Sequence, residues 1–143
     1  MIDNDRMNAE VAVFSYNRVP ENIYRFMDMG TSKPYLVIAA RTNRHNVYTL
    51  RIELDKFPNE IPKVFVTRML YMRSGSEMDG VSASMHTLSS EHGWTRICHY
   101  GNQAWSPKVT LFKIYAKCRL WLEAYEGHLA TGRDIDHWLK HQS

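Results

Sequence analysis

A chain of 143 residues, 44% apolar and 23% charged, has the size and composition of one globular domain with its own core. A net charge of +3, with no Lys/Arg run longer than two residues, gives no sign of a nucleic-acid-binding tract. No apolar run nears the roughly 18 residues of a membrane span, the polar, acid-bearing start "MIDNDRMNAE" is unlike a targeting peptide, and two cysteines make no disulfide framework, so a reduced, cytoplasmic setting is expected.

In chain order, residues 5 to 15 can form a short N-terminal helix. Three strand-like runs follow: "IYRFMD" (23 to 28), "PYLVIAAR" (34 to 41) and "NVYTLRIEL" (46 to 54). The last alternates, with Tyr48, Leu50, Ile52 and Leu54 set against Val47, Thr49, Arg51 and Glu53. Spacings this short predict antiparallel pairing, because parallel pairing needs a long crossover. In "DKFPNEIPK", Pro58 and Pro62 hold their preceding residues extended and make a stiff bend. "KVFVTRMLY" (63 to 71) reads as a fourth strand. Residues 72 to 85, rich in Ser, Gly and Asp, read as a long exposed loop. Residues 86 to 105 show no clear period, yet their His, Trp, Ile, Cys and Tyr argue for an ordered loop.

From 107 the period turns helical, with Leu111, Tyr115, Cys118, Leu122, Tyr125 and Leu129 on one stripe. Ser106 suits an N-cap, Pro107 the first helical position, and Gly132 the stop. Asp134 can cap a short last helix that sets Ile135, Trp138 and Leu139 on one face. The expected fold is α+β: an N-terminal helix, a four-stranded antiparallel meander, an ordered loop, a long helix and a short C-terminal helix, in a single domain over residues 1 to 143.

The two cysteines differ in setting. Cys118 lies on the helical stripe, where a free cysteine packs as a small, inert hydrophobe. Cys98 lies in the loop beside His99 and near His86, His92 and Asn102. It can be a small anchor for the loop. It can join His86, His92 and His99 as a zinc ligand, although adjacent Cys98 and His99 would point apart in extended chain. It can be the nucleophile of a Cys-His hydrolase, or it can carry an acyl group as a thioester. For its neighbours the structural roles are a packing plug for Trp105, helix-start chemistry for Ser106 and Pro107, and a loop-ordering hydrogen bond for His86. Asn102 is either a turn residue beside Gly101 or an oxyanion donor.

The order of these pieces resembles the ubiquitin-conjugating enzymes over roughly residues 20 to 125. The matching stretches are "FPNEIPKVFVT" at the Pro-bounded bend and fourth strand, "HTLSSEHG" where the family has His-Pro-Asn and a turn glycine, "IC" at 97 to 98, and "WSP" at 105 to 107. The tail "CRLWLEAYEGHLATGRD" is similar to the prokaryotic branch associated with cyclic-oligonucleotide antiphage defence (CBASS) operons. The resemblance implies that Cys98 takes a protein C-terminus as a thioester and passes it to an amine, with His86, His99 and Asn102 as candidate catalytic residues. Trp105, Ser106 and Pro107 would support the site, with no metal and no cofactor. It also implies a protein partner, either a cyclic-nucleotide-making nucleotidyltransferase or a ubiquitin-like protein, with no membrane or nucleic acid. An activating enzyme would act in trans, because this chain has no Gly-rich nucleotide loop. Leu88 stands where the family has the Asn that supports the oxyanion, two extra residues separate Gly93 from Cys98, and residues 72 to 85 resemble an insertion. A binding module that kept the fold and lost transfer is the alternative from a different class.

Overall fold

The structure is a computed structural model, described here for residues 2 to 139. It is a mixed α+β arrangement of two helices and a six-stranded antiparallel sheet. Helix α1 (Asn4–Tyr16) opens with the Asp3 side chain accepting the Arg6 N–H at 2.7 Å. Strands β1 (Tyr24–Met27), β2 (Tyr35–Arg41), β3 (Val47–Glu53) and β4 (Val64–Val66) follow the expected runs. The fourth is shorter than expected. After Val66 the chain turns, and the Leu70 N–H goes to the buried Thr95 hydroxyl of the neighbouring strand instead of to a backbone carbonyl.

The four-stranded meander is corrected to six strands. Residues 86 to 105 are not a loop throughout: they hold β5 (Thr87–Glu91) and β6 (Trp94–Ile97), in a sheet of order β1-β2-β3-β4-β6-β5. A two-residue turn joins them, with φ of 59° at His92 and 73° at Gly93. Positive φ at both central residues matches the right-handed twist of a tight hairpin, and glycine takes it at no steric cost. An irregularity between Leu88 and Glu91 interrupts the ladder and hides the period of two.

Residues 72 to 85 form no helix or strand and are mostly exposed, as expected, but the loop is anchored to the core at two points. Met78 and Met85 are buried, the Met78 N–H bonds the Leu70 carbonyl, and the Thr95 hydroxyl bonds the Met78 carbonyl.

Helix α2 (Leu111–Thr131) buries Leu111, Tyr115, Cys118, Leu122 and Tyr125 against Leu36, Ile38, Leu50, Ile52 and Val64 of the sheet. Leu129 is 39% exposed and leaves the expected stripe. In that last turn His128 is buried instead: it accepts the Arg73 N–H at Nε2 and donates from Nδ1 to the Arg133 carbonyl. Gly132 ends the helix at φ 81°, as the sequence predicts. The expected short C-terminal helix is a single 3₁₀ turn, Ile135–His137, without a side-chain cap from Asp134.

The start of α2 is a second correction. The N-cap is Thr110, whose hydroxyl accepts the Lys113 N–H at 3.1 Å, and not Ser106. The cause lies in α1. Arg6 donates to the carbonyls of Pro107 (2.6 Å) and Val109 (2.9 Å), and Glu10, ion-paired to Arg6 at 2.7 Å, accepts the Leu111 N–H at 2.6 Å. Residues 107 to 110 are thereby kept out of the helix, and an orphan N–H of its first turn meets a carboxylate. Ser106 instead makes a local turn, its hydroxyl accepting the Lys108 N–H.

Thr110→Ala should therefore destabilise the fold by about 1 kcal/mol through loss of the cap, and Ser106→Ala by less than half of that. Chemical denaturation of both variants checks the order. A larger loss at Ser106 would return the cap to that residue.

Candidate functional site

Cys98 follows β6 directly and is partly exposed, whereas Cys118 is fully buried. The β5–β6 hairpin sets Cys98 opposite the residue before β5, so the Cys98 N–H donates to the His86 carbonyl at 2.9 Å. The same carbonyl accepts the Trp121 indole N–H at 3.1 Å, which also reaches the Met85 carbonyl at 3.1 Å. One indole on α2 thus clamps the segment that holds Cys98. His86 itself has φ 52°, a conformation that few residues other than glycine adopt. Its Nε2 lies 2.7 Å from Asp136 Oδ1, and the Asp136 N–H bonds the Ser84 carbonyl. These two bonds dock the 3₁₀ turn beside Cys98.

A cleft of about 320 Å³ results. Cys98, His86, His99 and Lys117 form its polar part, and Leu120, Trp121, Trp138 and Leu139 its apolar wall. Trp138 lies against Gly127 of α2: a Cβ there would sit 2.9 Å from the indole, so the close approach needs glycine.

Burial raises the Cys98 thiol above its ordinary pKa, and the charges of Arg96 and Lys117 draw it part of the way back. This thiol is thus less ionised at neutral pH than the ordinary cysteine expected from sequence. An imidazolium beside it would have the opposite effect, so the balance does not favour a Cys-His hydrolase pair. Burial also lowers the His99 imidazole to about 4, only partly offset by its bond to the Pro62 carbonyl at 2.8 Å. At neutral pH the ring is uncharged and donates from Nε2, since a carbonyl only accepts, while Nδ1 is enclosed without a hydrogen-bond partner. Cys118 is pushed far up by complete burial and is inert.

Of the residues singled out in sequence, Cys98, His86 and His99 come together in the cleft. Asn102 is exposed in the turn that follows and does not line it. Trp105 packs against Phe57 and Tyr100, with ring centroids 6.3 and 5.5 Å apart, and its indole N–H reaches the Pro58 carbonyl. That is the expected plug, and it ties the chain beyond Cys98 to the Pro-bounded bend. Ser106 and Pro107 act further along that chain, through the turn and the Arg6 contact described above. Leu88 is on β5, paired with Arg96. His92 stacks near Trp94 and Phe65, with ring centroids 5.3 and 6.4 Å away, and among the described residues no three His, Cys, Asp or Glu side chains gather as a metal site.

Sequence reasoning missed Lys117, Trp121 and Asp136. Trp121 follows Lys117 by four residues, so both occupy one face of α2, and that spacing was the available signal. Asp136 had no local signal, since its partner His86 is 50 residues away.

Comparison of the chain with protein-family models, curated proteins and solved structures gives no match. No helix among the described residues is long and apolar enough to cross a membrane.

In the native protein a small alkylating reagent should modify Cys98 and spare Cys118 until the fold opens. The pH–rate curve for Cys98 should lie at higher pH than that of a cysteine peptide run in parallel. A curve at or below the peptide's would mean that the cations outweigh burial.

Proposed function

We propose that this protein is a cysteine-dependent conjugating enzyme that carries a protein C-terminus as a thioester on Cys98 and passes it to an amine. One observation carries the reading: the chain's accessible cysteine opens onto a cleft with a polar end and an apolar wall, while its other cysteine is sealed in the core. The similarity to ubiquitin-conjugating enzymes supports it through the order of the pieces: helix, antiparallel strands, Pro-bounded bend, loop cysteine, Trp-Ser-Pro and long helix. The finer assignment to that fold is part of the proposal. So is the prokaryotic defence branch, with a cyclic-nucleotide-making nucleotidyltransferase or a ubiquitin-like protein as the carried partner and an activating enzyme in trans.

The chemistry asks little of the site in its first step. Exchange of one thioester for another is near energy-neutral, so no strong base is required. The raised thiol makes the step slow on its own, which suits a carrier loaded by a dedicated partner. Transfer to an amine asks more, because negative charge develops on the carbonyl oxygen. A second reading, a binding module of the same fold, is favoured by two observations: the raised thiol, and Asn102 lying outside the cleft.

Co-expression with the candidate partner and activating enzyme should give a covalent adduct on a non-reducing gel that excess thiol removes. Cys98→Ala should abolish it and Cys118→Ala should leave it. Cys98→Ser should form a slower ester that resists thiol. Tight partner binding with no adduct would establish the binding module instead.

A further inference from the structure

We propose that the Lys117 ammonium is the cation of the reacting centre, opposing first the Cys98 thiolate and then the oxyanion formed when that thiolate attacks an activated C-terminal carbonyl. The inference rests on the thioester reading and assigns to Lys117 the oxyanion role first considered for Asn102.

The geometry is local and specific. Lys117 and Cys98 line the same cleft. Lys117 Nζ donates to the carbonyl of His99, the residue after Cys98, at 3.3 Å, and stands 3.8 Å from the centre of the Tyr100 ring. The ammonium is therefore held against the two residues that follow Cys98. One turn further along α2, Trp121 grips the His86 carbonyl that also receives the Cys98 N–H. Cation and nucleophile are thus referenced to the same helix face.

The other groups around Cys98 do not fill this role. His99 is uncharged and tied to Pro62. His86 is paired with Asp136. Arg96 on β6 acts on the thiol more strongly than Lys117 does, but its guanidinium lies 3.9 Å from Glu91 and it does not line the cleft. Burial and neighbouring Lys113 both disfavour the charge on Lys117, whereas an anionic Cys98 favours it. A new anion in the cleft would relieve that cost.

The step balances without an oxidant or metal. The Cys98 thiol first gives its proton to water; the thiolate pair then forms the Sγ–C bond, and the carbonyl π pair moves to oxygen, where Lys117 opposes it. Collapse re-forms C=O and breaks the bond to the donor sulfur, which leaves as a thiolate and takes a proton from water. On transfer, an amine attacks the Cys98 thioester, gives its proton to solvent, and Cys98 leaves as the thiolate that Lys117 stabilises.

The test uses the full chain, N-acetylglycine benzyl thioester as acyl donor, and intact mass to follow Cys98. Iodoacetamide pH–rate curves give the thiolate fraction of each variant, and thermal melts check folding. Lys117→Met should slow acylation about tenfold beyond its loss of thiolate, less than the ~10²-fold of an enclosed oxyanion donor because the cleft is open to water. Lys117→Leu should do the same, which keeps the test decisive if the Met variant folds poorly. Lys117→Arg should recover most of the rate, and Arg96→Met should lose rate only in proportion to thiolate. If wild type is acylated at Cys98 and the Met and Leu variants match it after thiolate correction, the Lys117 inference falls and the thioester reading stands. A thiol-resistant product that disappears in Lys117→Arg would make Lys117 the acceptor and overturn its role as the cation. If wild-type Cys98 is never acylated, the thioester reading falls and takes the inference with it.

Discussion

The His86 carbonyl is the point on which the site depends. It accepts two donors, the Cys98 N–H at 2.9 Å and the Trp121 indole N–H at 3.1 Å, and so joins β5, β6 and α2 at one atom. A buried carbonyl has two lone pairs and costs free energy when it is left without a donor. Here both donors come from segments that must meet for Cys98 to have a defined place. The positive φ of His86 is the accompanying strain, and it persists because the surroundings over-determine it. The His86 ring extends the same joint to Asp136 and the chain end beyond α2.

A second joint sets where α2 begins. The Arg6–Glu10 pair on α1 binds the segment 107 to 110 through two carbonyls and then caps the Leu111 N–H with a carboxylate. Glu10 is buried, and a buried carboxylate is tolerable only with partners of this kind. The start of α2 and the plug at Trp105 hold the two ends of the segment that leaves Cys98. No residue of α1 lines the cleft itself.

The electrostatics of the cleft oppose one another. Burial holds the Cys98 thiol neutral, while Arg96 and Lys117 favour its thiolate. Burial likewise keeps His99 uncharged. The result is a partly exposed, uncharged thiol with cations at hand.

The sequence by itself determined the elements whose periods are strong and local: the first strands, the buried stripe from Leu111 to Tyr125, the stop at Gly132, and the contrast between Cys98 and Cys118; the weakly patterned start only allowed α1. These follow from side-chain spacing and from the chemistry of Gly and Pro, which act within a few residues. It did not reveal β5 and β6, since a hairpin with an irregular ladder has no clean period and its His92–Gly93 turn is a weak signal. It did not reveal that Thr110 caps α2, because the deciding groups, Arg6 and Glu10, lie about a hundred residues away. It did not bring Lys117, Trp121 and Asp136 to Cys98, nor keep Asn102 away. Those relations were decided only by tertiary structure, because hydrogen bonds between distant segments and the burial that moves a thiol or an imidazole exist only once helix and sheet have closed on one another.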